Sequence, residues 1–398
     1  MKRIKFIVLC LILFLFSCEN GDRQDNSIEQ IEVDSKNSVD FTKLFNEYNL
    51  IFPETKDSSF FGVLIERIER YKDRLFLLNL SQSGRNILCF SLEGKFLFSI
   101  DRIGGGPEEY TYLGDFFIDR QQDVIILSLD KNEWMYLDID GNYLYKKKLP
   151  SEIGTIRKTY EFNDSLYIAF YECRNQNNCG DIVFLDRKSL QVKNVMYPIN
   201  NDIPSLHFGM SISFNQGIFF QYAVNDTIYR LSSTTQNKQA EYFVNFGKKQ
   251  QNFKNSLYKQ AESVKTKQIT DAVLEDILRL PNGFFSNKEY HAITYLAYDS
   301  KGMTMERGPQ FQTVFYNKET KKSYNTQFIN YDIFAGINNS KTILLGSCSE
   351  NYFYAVINSP FSKEEIKKIV TSKHISEESK QALLNMEEDS NPIIMMFR

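Results

Sequence analysis

This 398-residue chain holds a single tryptophan and only three histidines. His207, His291 and His374 share no metal-ligand spacing, so no histidine-built zinc or iron centre is written into it. A lone Trp134, set in a strand-like run, gives little support to a carbohydrate platform of stacked indoles. Charge of one sign is scarce as well. Forty-seven basic against fifty acidic residues leave a formal net charge of −3, which excludes a polycationic surface and argues against a nucleic-acid partner. No Gly-x-Ser-x-Gly elbow occurs, and no Lys-Ser or Lys-Thr follows the one glycine run, so neither a hydrolase elbow nor a phosphate loop is present. Beyond residue 17 no apolar stretch reaches the length a membrane helix needs.

What the chain does have is 33 Phe and 23 Tyr, set among Val, Ile and Leu in short alternating runs. Aromatic and β-branched side chains suit a pleated, half-buried surface, so the chain reads as mainly β. Its start is different. Lys2, Arg3 and Lys5 precede an apolar run from Ile7 to Phe16, which stops at Ser17-Cys18. That is a secretory signal over residues 1–17, and Leu15-Phe16-Ser17-Cys18 resembles a bacterial lipobox, with Cys18 as the lipidated residue. The alternative is a plain signal peptide with an incidental cysteine. Residues 18–40 are polar and without periodicity, which predicts a flexible tether and a folded body over 41–398. The expected location is the cell envelope, anchored to the outer membrane by lipid and facing the periplasm or the exterior.

Of six cysteines, Cys10 leaves with the signal, and Cys89 and Cys348 sit in strand-like stretches as buried thiols. Cys173 and Cys179 bracket the polar loop Arg174-Asn175-Gln176-Asn177-Asn178. In an exported protein this pair predicts a loop disulfide rather than two free thiols.

Internal periodicity is the strongest signal. Strand–turn–strand blocks begin at Cys89, Tyr136 and Val183, forty-seven residues apart, with looser copies over 228–243 and 314–324. A second signature, a polar turn entering an apolar strand, falls at Tyr71, Asp119, Asn163, Asn215, Asp299 and Asn338. Six units of four short strands predict an all-β, six-bladed propeller. One long gap, between the fourth and fifth units, coincides with residues 251–280. There alternation gives way to helical spacing, with Val273, Ile277 and Leu280 on one face ahead of Pro281. The expectation is a helical insertion between blades 4 and 5, and the recognition element of the molecule. Near the C-terminus, Ser362-Lys363-Glu364-Glu365 forms a capping box, and a second helix runs from Ser376 to about Glu387. A last strand over 393–397 is expected to meet the segment from Asn49 to Phe52 and close the ring.

Arg102-Ile103-Gly104-Gly105-Gly106-Pro107-Glu108-Glu109-Tyr110 resembles the Gly-x-Gly-Pro-Gly-Glu-Tyr signature of six-bladed propeller lipoproteins of gut-type Gram-negative bacteria, with propellers of the NHL/TolB-like kind. The stretch from Tyr48 to Asp130 and the closing Asn391-Pro392 strand follow the same pattern, and Glu108 replaces the motif's third glycine. The resemblance implies the fold and carries no activity with it. Read by itself, the run from Gly104 through Gly106, Pro107 and Glu109 to Tyr110 is a sharp crossover between blades needing φ > 0.

Two functional readings follow. The first is a non-enzymatic, lipid-anchored scaffold that binds a protein or glycan at one face or at the channel mouth, with no cofactor. The second is a channel-based, calcium-dependent hydrolase or lyase, since Asp, Glu and Asn are plentiful; most of them, however, occupy turns, where backbone geometry already calls for them. His207 and His291 precede or open strands that could line the channel. Asp164-Ser165-Leu166 and Asp226-Thr227-Ile228 match an O-glycosylation pattern and also fit ordinary turns leading into strands.

Overall fold

The computed structural model describes residues 28–33, 39–62, 65–81, 84–151, 153, 155–172, 182–196, 211–214, 218–221, 226–232, 235–257, 267–268, 271–272, 280–297, 310–326, 332–337, 342–346, 351–357 and 361–398. Six antiparallel sheets follow one another as the blades of a propeller. Blade 1 is Ile65–Tyr71, Arg74–Ser81, Gly84–Ser91 and Phe96–Ile100. Blade 2 is Leu113–Asp119, Val124–Leu129, Glu133–Asp138 and Tyr143–Lys148. Blade 3 is Thr155–Glu161, Leu166–Glu172, Ile182–Asp186 and Val192–Met196. Blade 4 is Ser211–Phe214, Ile218–Gln221, Thr227–Leu231 and Lys238–Asn245, and blade 5 is Leu280–Ser286, Tyr290–Ala297, Gln310–Asn317 and Ser323–Thr326. Blade 6 takes Thr342–Gly346, Phe353–Ile357 and Ile393–Phe397 from the C-terminal part and its outermost strand, Tyr48–Ile51, from the N-terminal part. The first-named strands of blades 1 to 5 and Thr342–Gly346 of blade 6 lie innermost; those of blades 1 and 2, 2 and 3, 4 and 5, 5 and 6, and 6 and 1 touch around the axis.

The 47-residue repeat marks the third and fourth strands of blades 1 to 3. Their turns are held by short side chains: Asp138 accepts from the Asp140 and Asn142 amides, and Asp186 from those of Lys188 and Ser189. Each sheet is apolar on both faces, so the core consists of layers between neighbouring blades. Phe76, Cys89, Phe116 and Met135 fill the space between blades 1 and 2. Leu77, Leu88, Tyr354 and Ile394 fill that between blades 6 and 1. Trp134 is fully buried between blades 2 and 3, so it packs the core and offers no platform. Burial pushes the Cys89 thiol up to about 12, which keeps it inert.

Closure is as expected. Tyr48 pairs with Phe397 and Ile51 with Ile394. The helices Lys363–Ile369, with its Ser362–Glu365 capping box, and Glu377–Leu384 precede the closing strand and bury Ile366, Ile369 and Leu383 against it. Asn391 fastens the seam. Its amide donates to the Glu54 and Ser59 carbonyls at 3.0 Å each, its side-chain oxygen accepts from Phe61 N at 2.9 Å, and its backbone N–H donates to Thr55 Oγ1 at 2.9 Å.

Three expectations change. The stretch expected to be free tether contributes a strand, Glu29–Glu32, which pairs in parallel with the outer strand of blade 4, Glu29 opposite Tyr242 and Glu32 opposite Asn245. Ile31 and Val33 are buried there while Gln30 and Glu32 are exposed, an alternation too short to stand out in a polar sequence. The folded body therefore begins before residue 41. Second, Leu280 does not end a helix. It opens the inner strand Leu280–Ser286, whose Pro281 is accommodated where the register shifts. Third, the described helix of the insertion, Lys248–Leu257, is fixed to its blade: buried Gln250 and Lys254 bond the buried Asp226 carboxylate at 3.1 and 2.5 Å.

Candidate functional site

On the inner strand of blade 1, Arg67 and Glu69 stand two residues apart and so share one side of the strand. Both are buried. The Arg67 guanidinium donates to Glu69 at 2.6 Å, to Asp115 of blade 2 at 2.8 Å and to the Thr159 carbonyl of blade 3 at 3.0 Å. It therefore spans three blades, with the Tyr160 ring 4.3 Å away. Asp115 is fully buried and also accepts from Thr159 N at 2.9 Å, with the Lys158 ammonium 3.5 Å off.

The chain of charges continues. Glu69 accepts from Arg120 at 2.9 Å, Arg120 reaches Glu161 at 3.3 Å, and Glu161 accepts from Arg187 at 3.1 Å. Arg187 then bonds Asp119 at 3.0 Å and Gln121 at 2.7 Å. Asp119 is closed off by the amides of Gln121 and Gln122 and by the Tyr167 hydroxyl. From Lys158 to Asp119 the signs alternate through eight side chains, four of each, so the cluster is neutral as a whole. Burial alone would raise the Glu69 carboxyl. The charges of Arg67 and Arg120 outweigh it and hold the group below the usual carboxylate range. For Glu161, burial wins against Arg120 and Arg187, and its pKa is raised. No member of this cluster was singled out as a site residue, and Asp119 was read only as the start of a turn. The available signal was that the inner strands carry charges where the strands beside them are apolar: Arg67 and Glu69 in Ile65–Tyr71, Asp115 in Leu113–Asp119, Lys158 and Glu161 in Thr155–Glu161.

The expected site residues scatter. His291 is not on an inner strand. It sits on the second strand of blade 5, 1% exposed, ringed by Phe219, Tyr242, Phe284 and Tyr316. Burial, then the Lys318 and Lys321 charges, drive its pKa well below the ordinary value, so it packs as a neutral ring between blades 4 and 5. The misplacement follows from the turn expected at Asp299. The turn that leads out of blade 5's inner strand runs through Asn287, Lys288 and Glu289, where Asn287 Oδ1 accepts from the Glu289 and Tyr290 amides. Beside His291, Lys318 donates to Ser286 Oγ at 2.7 Å and to the Asn287 carbonyl at 2.5 Å. Burial, helped by Arg230, pushes that ammonium down to about 8. His207, Cys18, Cys173 and Cys179 lie outside the described residues. His374, between the C-terminal helices, is half-buried, and its carbonyl accepts from the Tyr48 hydroxyl.

The glycine run forms a latch. Gly104 N donates to the Tyr110 carbonyl at 2.9 Å, Tyr110 N to the Arg102 carbonyl at 2.8 Å, and the Glu109 carboxylate accepts from Gly106 N at 2.8 Å. Tyr110 is buried, with its hydroxyl against the Ile100 and Arg85 carbonyls. None of the three glycines takes a left-handed φ. Space matters at two of them: a Cβ on Gly104 would collide with the Glu109 carboxylate, and one on Gly106 would come within 3.1 Å of it, while Gly105 borders open space. Pro107 falls within the same turn. Glu109 thus braces a turn.

One polar hollow of about 320 Å³ lies where the chain ends meet blades 5 and 6, lined by Asn46, Glu47, Asn287, Glu289, Asn351 and Arg398 among others. Among the described residues no group of three or more His, Cys, Asp or Glu is placed to hold a metal, and no helix is long and apolar enough to cross a membrane.

The profile of a family described only as a domain of unknown function, DUF4934, matches residues 28–398. The chain belongs to the DUF4934 family. The family span thus takes in the strand Glu29–Glu32 as well as all six blades. No curated protein matches the sequence. Among solved structures, a Bacteroides fragilis chain described as a "putative exported protein" is similar at 17% identity and a TM-score of 0.69, covering 94% of this chain and 99% of its own. A member of the duf4221 family from Bacteroides vulgatus is similar at 9% identity and a TM-score of 0.54, over 89% of this chain and 98% of its own. At those identities the likeness is one of fold, and it extends the six-bladed reading of this DUF4934 member across nearly its whole length.

Proposed function

We propose that this protein is an extracytoplasmic propeller, anchored by lipid on Cys18 to the outer membrane, whose body is a scaffold for a protein or glycan ligand rather than a catalyst. The observation that carries the second half is the inner-strand cluster. Asp115, Glu69, Glu161 and Asp119, which a channel enzyme would use as acids, bases or calcium ligands, are each bonded to arginine. A carboxylate so paired is a poor calcium ligand and a poor proton acceptor, because either role first requires breaking a buried ion pair. The signal segment, the lipobox and the likeness to a chain described as exported support the first half. In cells, the Cys18→Ser variant is expected to leave the membrane fraction and to lose the acyl mass on its N-terminal peptide. Retention in the membrane without acylation would defeat the anchor.

The competing calcium-dependent reading is tested by melting residues 28–398 in calcium and in EDTA; a shorter form starting at 36 would lose the strand on blade 4. A site filled at a hundredfold excess over its Kd adds about 2.7 kcal/mol and raises the melting temperature by several degrees. No shift is expected.

A further inference from the structure

We infer that the seam between blades 4 and 5 is an acid-triggered clasp: a proton on the His291 ring opens it and releases the N-terminal strand Glu29–Glu32 from the rim of blade 4.

The ring sits where three parts of the chain converge. Within blade 5, His291 lies opposite Ser286 on one side and Tyr316 on the other. Across the seam it meets Phe219 and Tyr242 of blade 4, with ring centroids 5.5 and 4.7 Å away. Phe284 at 5.1 Å and Tyr316, stacked at 6.3 Å and 12°, enclose it from its own blade. The N-terminal strand completes this layer, because Ile31 and Val33 are buried in the same apolar cluster as those four rings. It is also fastened to two of them. Glu29 accepts from the Tyr316 hydroxyl, and it stands opposite Tyr242 in the sheet. Lys321 bonds Glu29 as well, at 3.0 Å.

Packing alone gives no reason for an imidazole here. The ring is buried, and neither of its nitrogens finds a hydrogen-bond partner among the described residues. Phenylalanine would make the same contacts without leaving a donor and an acceptor unpaired. A protonated ring fares worse still. The aromatic faces return part of the cost of a buried cation and leave most of it standing. The neighbouring carboxylates are engaged elsewhere, Glu29 with Tyr316 and Lys321, and Glu241 with Arg230 at 3.5 Å. Lys318 and Lys321 repel the added charge, so burial and those two ammonium groups together hold the ring's affinity for a proton well below the ordinary value of 6.5.

Acid therefore favours the open form. A base whose folded value lies below its unfolded one leaves the closed state complete above about 6.5, and weakens it as pH falls toward the folded value. A ring exposed by opening takes its proton at the ordinary value, so the open population rises about tenfold for each pH unit below it. Glu241 works the other way, because burial raises its carboxyl and the closed state takes up that proton more readily. Burial keeps the Tyr242 phenol neutral throughout. The N-terminal strand is the part of the layer that yields first. It is four residues long and paired along one edge only, so it can leave without dismantling either blade.

Amide hydrogen exchange of the full chain between pH 7 and pH 4.5, corrected for the intrinsic effect of pH, tests the clasp. Peptides covering 28–33 and 240–246 are compared with one covering 75–80 in blade 1, in the wild type and in His291→Phe. Below 6.5 the first two peptides should exchange faster in the wild type than in the variant, by a factor that grows about tenfold per pH unit, with blade 1 unmoved. The same acid response in both proteins overturns the inference. So does an acceleration that blade 1 shares, because the whole fold is then opening. Lys318→Met leaves the ring in place and keeps the test decisive if His291→Phe does not fold. With one repelling charge gone, the closed ring binds its proton more readily, and the acid response should level off at a higher pH; an unchanged response would show that another group titrates.

Discussion

Replacing Arg67 with Ala is expected to cost about 3–5 kcal/mol of stability at neutral pH, because it breaks a buried ion pair by removing one partner. The loss comes less from the contacts removed than from what they leave behind. Asp115, fully buried, would keep only the Thr159 amide and a distant Lys158, and Glu69 would keep only Arg120. The pH dependence gives the sign. The Glu69 carboxyl lies below its unfolded value, so its stabilisation is complete above the ordinary carboxylate range of about 4.3 and fades as pH falls through the lower folded value. The deficit of the variant should therefore be greatest at neutral pH and shrink in acid, where the orphaned carboxylates protonate first. Urea melts at pH 7 and pH 4 check this. A deficit that is the same at both would mean that burial of the guanidinium, not its charge, is what matters. Replacing Arg67, Glu69 and Asp115 together by Met, Leu and Leu should recover part of the loss, since buried ions exchanged together for apolar groups are often neutral or stabilising, while the partly exposed Arg120 and Lys158 each lose one partner.

Asn391→Ala is expected to be nearly as damaging, at about 3–4 kcal/mol, or a melting temperature lower by about 4–5 °C. One side chain satisfies two carbonyls and one amide of the segment that leaves blade 6 for blade 1. Its removal strands the Ser59 carbonyl and the Phe61 amide in the seam and leaves the Glu54 carbonyl only the Ser59 hydroxyl. Asn391→Asp is no remedy, because a carboxylate would face the Glu54 and Ser59 carbonyls it cannot donate to. Differential scanning calorimetry of both variants decides the point. Loss of a degree or two in each would show that the seam is held by the Tyr48–Phe397 strand pairing instead.

The legible and illegible parts of this protein divide along physical lines. The repeat from Cys89 to Tyr136 to Val183 was readable because a tight hairpin needs particular residues at particular places, and it recurs at a constant interval. Closure was readable for a related reason, since a ring must complete its last sheet with the segment near Asn49. Blade 5 was not. Leu280 opens a strand, Leu280–Ser286, whose alternation is interrupted by Pro281 and Gly283, and the helical spacing it shares in sequence with Val273 and Ile277 hid that start. The mistaken placing of His291, one strand too far in, came from the turn expected at Asp299. The glycine latch was recognised as a turn but for the wrong cause, because a sequence shows that glycines are required without showing whether φ or the Glu109 carboxylate requires them. The ion-pair chain was invisible in a stronger sense. Arg67, Asp115 and Glu161 are distant in sequence, and only the meeting of three inner strands brings them together.

The pairing of Tyr48–Ile51 with Ile393–Phe397 also carries a cost in time. A strand synthesised early must wait, apolar and without its neighbours, until some three hundred and forty further residues have emerged, and five blades can be complete while the sixth has nothing to close on. A chain in that condition presents an unpaired sheet edge, which invites pairing with other chains. Ring completion joins strands from the two ends of the fold, and pairing across so long a separation is intrinsically slow.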